Sequence, residues 1–314
     1  MTTTPTLTFA AIDVETANRA RGSICEIGVT VVRDGVVESS RSWRCQPPEA
    51  LSGFDYWNVS IHGITAADVA QEPTFAERMV EVIAVIGDLP VIAHNAGFDI
   101  GAIRSACDHS GIERPTWAYG CTLVWSRKLL DLVSNRLPIV VEALGLPFGN
   151  HHAAADDSAA AAAVALSLAS RVGAGSIAEL AEASGSRLGL LSPASSVGCT
   201  VRQTSRGGGG TLIAAQVASD ADPDHPLYGE TVVLTLKLSS MTRQEVWNEV
   251  ARFGATAEDS VTKRTTRLVV GGGFSGLSMT EFTSGKLAAA VKKRAAGQLI
   301  EVLTEQDLLE LIAE

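Results

Sequence analysis

The chain has 314 residues, of which 46% are hydrophobic and 19% charged, and its net charge is −10. This length exceeds what a single hydrophobic core usually supports, so the sequence predicts two domains. The apolar residues are scattered without a run of about 18 uncharged apolar positions, which argues against a membrane span. The N-terminal segment has no basic stretch before an apolar core and so predicts no secretory signal.

The cysteines give the same indication about the compartment. There are five of them, an odd number, dispersed along the chain without a CxxC pair. This pattern is typical of reduced thiols in a cytoplasmic protein, and it argues against both a disulfide framework and a zinc site.

The negative charge is concentrated in the first part of the chain. Residues 1–171 carry 19 acidic and 12 basic side chains, whereas residues 228–314 carry 11 and 10. An acidic protein is unfavourable for binding nucleic acid. An acidic domain could still act on nucleic acid if its carboxylates bound divalent cations, because the cations would supply the positive charge that a phosphate needs. Electrostatic capture of nucleic acid would then be weak, and we expect modest affinity unless a partner helps.

Apolar periodicity predicts a mixed α/β domain over residues 1–172. Strands are expected at 7–14, 27–33 and Val91–Ala93, with a hairpin turn at Asp34-Gly35 after the second. Helices are expected at about 75–87, 99–110, 122–132, 138–144 and 156–171.

The remainder divides into a connector and a second domain. Residues 173–227 predict a helix within 176–191 and then a flexible linker, since Gly207–Gly210 and an Asp/Pro-rich segment at 220–226 follow. Residues 228–314 predict strands at 231–236, 267–271 and 299–302, alternating with helices at 242–253, 284–296 and 304–313. Such alternation predicts a small parallel sheet with right-handed crossovers.

Acidic residues occur at three points of the first domain. Asp13 and Glu15 stand two apart on a predicted strand, so their carboxylates face the same side, about 7 Å apart along the chain. Asp99 opens a predicted helix, where an aspartate is also a common N-cap.

The third point is the stretch from His151 to Asp157 before the Ala-rich helix. His152 and Asp157 would lie about 140° apart if both were helical. We therefore expect His152 in the preceding loop and Asp157 in the first helical turn. Asp156 with His151 is the alternative register.

Together, the segments FAAIDVET (9–16), HNAGFD (94–99) and HHAAADD (151–157) resemble the three motifs of the DEDDh exonuclease family. This family includes the proofreading subunit of bacterial replicative polymerase. The segment 61–65 (IHGIT) is similar to a stretch that these enzymes carry between the first two motifs. The resemblance covers about residues 7–171 and implies a ribonuclease H-like domain, with a mixed sheet flanked by helices.

The resemblance also implies roles for single residues. Asp13, Glu15, Asp99 and Asp157 would bind two Mg²⁺ or Mn²⁺ ions, and His152 would be the general base. Three further residues are predicted to contact the 3′-terminal nucleotide: Thr16, Asn95 and Phe98.

Residues 228–314 resemble a BRCT domain, from the strand after Gly229 through Phe253-Gly254-Ala255 to Lys286. Some BRCT domains bind phosphate, and by resemblance Thr235 and Lys286 would form such a pocket. The chain departs from the family pattern at Leu236, where a glycine is usual, and in lacking a tryptophan in the last helix. A bulky residue at 236 would obstruct the backbone approach that a phosphate needs.

These features predict a 3′→5′ exonuclease that acts on DNA ends in repair or replication proofreading. The BRCT domain would bind DNA ends or a replication or repair protein. An exoribonuclease is the alternative within the same chemistry, and a catalytically silent nucleic-acid-binding scaffold is the alternative outside it.

Overall fold

The computed structural model describes residues 7–132, 134–149, 153–199, 217–218, 221–223, 225–238, 240–271, 274 and 284–313. The chain forms two compact units: Met1–Leu130 with Arg136–Val201, and Asp131–Asn135 with Arg202–Glu314.

A mixed sheet forms the centre of the first unit. Its strands are β1 (Phe9–Thr16), β2 (Ile24–Arg33), β3 (Val36–Arg44), β4 (Val91–Ala93), β5 (Trp117–Cys121), β6 (Gly189–Leu191) and β7 (Ser196–Val197), in the order β3-β2-β1-β4-β5-β6-β7. The β1–β2–β3 pairs are antiparallel, β1–β4–β5 parallel, and β5–β6–β7 antiparallel. The turn between β2 and β3 places both Asp34 and Gly35 at positive φ, as a tight hairpin requires.

Helices cover this sheet, so β1 and β2 are buried along nearly their whole length. The helices are α1 (Tyr56–His62), α2 (Ala66–Val69), α3 (Phe75–Ile86), α4 (Ala96–Ser110), α5 (Thr122–Leu129), α6 (Leu137–Ala143), α7 (Ala154–Val172) and α8 (Ile177–Ala183), with a 3₁₀ turn at Glu49–Leu51. The α3 helix begins with a capping box between Thr74 and Glu77. Its apolar positions then recur at helical spacing and face the core.

Among the described residues, no single helix is long and apolar enough to cross a membrane. Helices α7 and α8 meet that criterion only as a pair, and they are bent by 63° at the break between them.

The second unit contains a parallel sheet with helices on both faces. Its elements are β8 (Thr231–Thr235), α9 (Arg243–Arg252), β9 (Thr256–Glu258), β10 (Arg267–Val270), α10 (Gly285–Ala295), β11 (Glu301–Thr304) and α11 (Glu305–Ala313), with strand order β11-β10-β8-β9. Each face of the sheet has its own apolar cluster, one around Trp247 and Leu303, the other around Leu268 and Val302.

The predicted fold class, a mixed α/β sheet with helices and a separate parallel-sheet unit, is confirmed. The structure differs within 173–227, where β6 and β7 extend the first sheet although we expected only a helix and a flexible linker. These strands are too short to show a periodic pattern, and they are stabilised by the pairing of β6 with β5 and of β7 with β6. Most of the expected linker, including Gly207–Gly210, lies outside the described residues.

Candidate active site

Three carboxylates from β1 and α7 meet at one point. Asp13 and Glu15 lie on the same side of β1, and Asp157 lies in the first turn of α7. One carboxylate oxygen of each lies within 4.8 Å of the others. Glu15 is only 9% exposed and Asp157 only 4%, so the charges are largely removed from water.

Asp99, the fourth predicted ligand, lies beside this group. It is 2% exposed and its Oδ1 accepts the Val14 N–H at 3.1 Å. On β1, strand β4 pairs only with Ala10 and Ala11. Farther along β1, the Val14 N–H is bonded to the Asp99 carboxylate instead. The bond fixes the start of α4 against the strand that carries Asp13 and Glu15.

The carboxylates repel one another electrostatically. The pKa of Asp13 is raised well above its usual value, first by burial and then by Asp99, Glu15 and Asp157. The pKa of Glu15 is raised in the same way, by burial and then by Asp157, Glu26 and Asp99. A bound cation would reverse the effect of the neighbouring charges.

The position of Asp157 depends on a close contact between β2 and α7. A Cβ atom added to Gly28 would lie 2.0 Å from the Ala154 carbonyl oxygen, so only glycine permits this approach. Glu26, two residues earlier on β2, accepts the Ala154 N–H at 3.4 Å. The register of β1 and β2 pairs Asp13 with Gly28 and Glu15 with Glu26, so both residues lie opposite the acidic pair.

Hydroxyl groups of β2 and β3 form hydrogen bonds with the first turn of α7. Thr30 Oγ1 lies 2.8 Å from Ser158 Oγ and 2.9 Å from Ser40 Oγ. Ser40 also donates to the Ala155 carbonyl at 3.2 Å. Thr30 and Ser158 are fully buried. The helix turn that carries Asp157 is therefore bonded to both β2 and β3.

The sequence did not identify Glu26, Gly28 or Thr30 as site residues. Their positions in a continuous buried strand resemble ordinary core positions, and only the register with β1 shows what they contact. A glycine within an apolar strand is the one local signal, because it often marks a close approach of another backbone.

The structure places Asp157, rather than Asp156, among the three clustered carboxylates. A Cβ atom added to Gly149 would lie 2.6 Å from the Asp156 carboxylate, which therefore lies against that loop. The predicted general base, His152, and its alternative His151 lie outside the described residues. Helix α7 begins at Ala154, after both histidines.

The three predicted nucleotide contacts have different surroundings. Thr16 ends β1, and its Oγ1 lies 3.1 Å from Asn58 Nδ2. Asn95 precedes α4 in a left-handed conformation, with φ 73°, and its carbonyl accepts the Phe98 N–H. Phe98 is partly buried against the core. Thr16 and Phe98 are chain neighbours of the predicted metal ligands Glu15 and Asp99, and Asn95 lies four residues before Asp99.

In the second unit, the predicted phosphate-binding residues are bonded to protein groups. Thr235 Oγ1 lies 2.7 Å from Ser284 Oγ, and Lys286 Nζ donates to Leu234 O and Asp259 Oδ1, each at 3.0 Å. Leu236 adopts φ 60°, the left-handed region that favours glycine.

Comparison with known proteins places the acidic cluster within a described family. The exonuclease family model (RNase T type) matches residues 10–165. This range includes the four predicted metal ligands Asp13, Glu15, Asp99 and Asp157. Residues 10–165 are thus similar to an exonuclease domain, and the carboxylates that meet within them fit a divalent cation.

Curated relatives share only parts of their length with this chain. A PolC-type DNA polymerase III of Clostridium perfringens is 29% identical over 149 residues, which are 46% of this chain and 10% of that protein. The Thermotoga maritima enzyme of the same name is 32% identical over 152 residues, 46% of this chain and 11% of that protein. A DNA ligase of Dehalococcoides mccartyi is 34% identical over 102 residues, 32% of this chain and 13% of the ligase.

Among solved structures, exonuclease X in complex with 5′ overhanging duplex DNA is 26% identical, with a TM-score of 0.43. The match covers 52% of this chain and 93% of that one. Exonuclease I gives 18% identity and a TM-score of 0.44, over 52% of this chain and 40% of that one.

Proposed function

We propose that this protein is a metal-dependent 3′→5′ exonuclease that hydrolyses phosphodiester bonds at the 3′ end of DNA. The observation that carries the proposal is the convergence of Asp13, Glu15 and Asp157 within 4.8 Å inside the exonuclease domain. The 3′→5′ polarity rests on the resemblance of its three motifs to the DEDDh family.

The ligand set suits Mg²⁺ or Mn²⁺, because every donor is a carboxylate oxygen, a hard ligand. Asp13, Glu15, Asp157 and Asp99 would hold the two ions. When bound, they would supply Lewis-acid chemistry and positive charge at the scissile phosphate. Asp99 also has a structural role, because its hydrogen bond from the Val14 N–H links α4 to β1.

His152 would accept the proton of the attacking water, as the family resemblance implies. The pKa of a histidine lies near neutrality, so it can take up and release a proton at physiological pH. Asp157 follows five residues later in the chain, and the contact of Gly28 with Ala154 fixes the start of the helix between them. Thr16, Asn95 and Phe98 would contact the terminal nucleotide.

DNA is proposed rather than RNA because the polymerases and the ligase named above are DNA enzymes. For the second unit we propose a BRCT domain that binds DNA ends or a replication or repair protein. Its four-stranded parallel sheet supports this. Phosphate binding at Thr235 and Lys286 would require Lys286 to leave Asp259.

The proposal is tested with 5′-labelled single-stranded DNA and matching RNA, each incubated with Mg²⁺, Mn²⁺ or EDTA. We expect a metal-dependent ladder that shortens from the 3′ end and is stronger on DNA. The Asp13→Asn variant should lose activity by at least about 100-fold, because even loss of a residue that only supports a metal ligand typically costs about 10- to 100-fold. Asp34→Asn is the matched control, because it removes the same charge at an exposed turn.

Faster cleavage of RNA would favour the exoribonuclease alternative. Absence of cleavage of both substrates, with metal present, would favour the scaffold alternative. Wild-type activity in Asp13→Asn would contradict the assignment of the metal ligands.

A further inference from the structure

Helix α1 is fastened to the end of the strand that carries the acidic pair. Asn58 Nδ2 donates to Thr16 O at 3.0 Å and to Thr16 Oγ1 at 3.1 Å. The His62 ring places Nε2 3.1 Å from the same carbonyl. Thr16 directly follows Glu15, so α1 lies beside the candidate metal centre.

The chain before α1 is held in the same way. Asp55 N donates to Ala17 O at 2.8 Å. The side chain of Asn18 donates to Leu51 O at 2.9 Å and also to Gly53 O. Residues on both sides of Tyr56 and Trp57 are therefore bonded to the three residues that follow Glu15. The backbone that carries these two aromatic side chains is fixed relative to the end of β1.

Both aromatic side chains are nevertheless exposed to solvent. Tyr56 is 79% exposed and Trp57 60%, and in the described part of the chain no other aromatic residue is among the exposed large hydrophobic side chains. Their ring centroids lie 5.8 Å apart, with the ring planes at 73°. Since the planes are nearly perpendicular, a flat ligand can stack on one ring while the other forms a side wall.

We propose that Tyr56 and Trp57 form a stacking platform for the bases of a single-stranded 3′ end, next to the nucleotide that is removed. The inference rests on the proposed exonuclease function and adds the residues that bind the adjoining bases. The position of the pair selects nucleic acid as the occupant. Asn58 and His62, on the same helix, are bonded to Thr16 beside Glu15. A strand whose 3′ end reaches the carboxylates therefore passes along the surface next to this helix.

The charge of the domain gives a second reason. Residues 1–171 carry seven more acidic than basic side chains, so electrostatic attraction contributes little to capture of a polyanion. Base stacking on aromatic rings needs no charge and tolerates any sequence, because every base has a π-face. An enzyme that removes successive nucleotides needs this tolerance.

The test compares two substrates. One is a 5′-labelled single-stranded oligodeoxynucleotide, and the other is the p-nitrophenyl ester of thymidine 5′-monophosphate, which has no neighbouring base. We expect Trp57→Ala to raise KM for the oligonucleotide about 5- to 100-fold, the range that stacking of one base accounts for. Hydrolysis of the ester should stay within about 2-fold of wild type. Trp57→Phe should restore most of the affinity, and Tyr56→Ala should act in the same direction.

Val80→Ala is the matched control, because Val80 is an equally exposed apolar side chain on α3. It should change neither substrate's kinetics. An equal loss on both substrates in Trp57→Ala, or no loss on either, would overturn the platform. The first outcome would indicate a structural role for Trp57, and the second would leave a protein partner as the occupant of the exposed pair.

A binding measurement separates this inference from the catalytic proposal. In the Asp13→Asn background, replacing the two bases next to the 3′-terminal nucleotide by abasic sites should weaken binding when Trp57 is present. It should have little effect when Trp57 is alanine. If the wild-type protein hydrolyses neither substrate, the exonuclease proposal fails. The comparison of normal and abasic DNA, with and without Trp57, still decides whether the platform binds bases. Equal abasic penalties with and without Trp57 would overturn it.

Discussion

Single residues of the acidic cluster oppose folding when no cation is bound. Burial and mutual repulsion raise the pKa values of Asp13 and Glu15, which means that the folded protein holds these protons more tightly than the unfolded chain. A group of this kind contributes stability below its unfolded pKa, near 4, and the contribution is lost as the pH rises through the folded pKa. The cluster is therefore least favourable at neutral and alkaline pH.

This predicts that Asp13→Asn stabilises the metal-free protein. In EDTA at pH 8 the variant should have a higher Tm than wild type, and the difference should shrink as the pH falls, because Asp13 and Glu15 of the wild type then take up protons. Adding Mg²⁺ should raise the Tm of wild type more than that of the variant, because ligand binding to the folded state stabilises it. Thermal unfolding at several pH values measures both effects, with Asp34→Asn as the control. A variant less stable than wild type at pH 8 in EDTA would contradict the prediction.

Asn95 combines a conformational requirement with its predicted contact to the substrate. Its φ of 73° lies in the left-handed region, which costs most non-glycine residues about 1–2 kcal/mol. Asn95→Ala should therefore lower the free energy of unfolding by about 1 kcal/mol, whereas Asn95→Gly should leave it close to wild type. Denaturant unfolding measures the free energy of unfolding of both variants. Equal values would contradict the prediction that the left-handed conformation at position 95 disfavours alanine.

Kinetics of the same variants then address the substrate contact. If the Asn95 side chain binds the terminal nucleotide, as the sequence predicts, both variants should raise KM by similar factors. A normal KM in Asn95→Gly would show that the Asn95 side chain does not bind the nucleotide and that the residue acts only through its backbone conformation.

At the scale of elements, the contact between β2 and α7 controls the geometry of the site. Gly28→Ala would place a Cβ atom 2.0 Å from the Ala154 carbonyl oxygen, so the start of α7 must shift. Overpacking of this kind typically costs about 1–3 kcal/mol. A displacement of about 1 Å in a catalytic group can reduce turnover about 100-fold, so we expect activity to fall far more than stability.

Gly53→Ala is the control, because a Cβ atom there meets nothing within 4 Å. Circular dichroism and thermal unfolding should show both variants folded, while the nuclease assay should distinguish them. Full activity in Gly28→Ala would mean that the contact does not set the position of Asp157.

The same contact shows how far the sequence alone predicts this molecule. Long periodic helices were located closely, as with α3, predicted at 75–87 and observed at Phe75–Ile86. Local spacing, which the sequence displays directly, was sufficient to place Asp13 and Glu15 on one side of β1 and Asp157 in the first turn of α7. That these residues act together was implied by the resemblance to the DEDDh family.

Other elements escaped prediction because their stability comes from distant pairing. Strands β5 and β9 were not predicted, and β9 has only three residues. It is fixed by its parallel pairing with β8 rather than by its own alternation. Helix α1 was not predicted either, since its seven residues include few strong helix formers and its side chains bond to the end of β1. The aromatic pair of the proposed platform was missed for that reason.

At the scale of the whole molecule, the two units differ in their acidic residues and in their charge. The carboxylate cluster lies entirely in the first unit, and residues 228–314 of the second unit have nearly balanced charge. Each unit has apolar clusters of its own, formed from residues of that unit. Units with separate cores can unfold in separate transitions.

We therefore predict two thermal transitions, of which Mg²⁺ raises only the one that belongs to the exonuclease domain. At a free Mg²⁺ concentration of 100 times its Kd, the stabilisation is about 2.7 kcal/mol for one site. Asp13→Asn should abolish this shift. Leu268→Ala should lower only the other transition, because Leu268 is fully buried in the second unit and such truncations cost about 2–5 kcal/mol. Differential scanning calorimetry in EDTA and in Mg²⁺ measures both. A single transition that responds to all three changes would show that the two units unfold as one cooperative structure, contrary to this prediction.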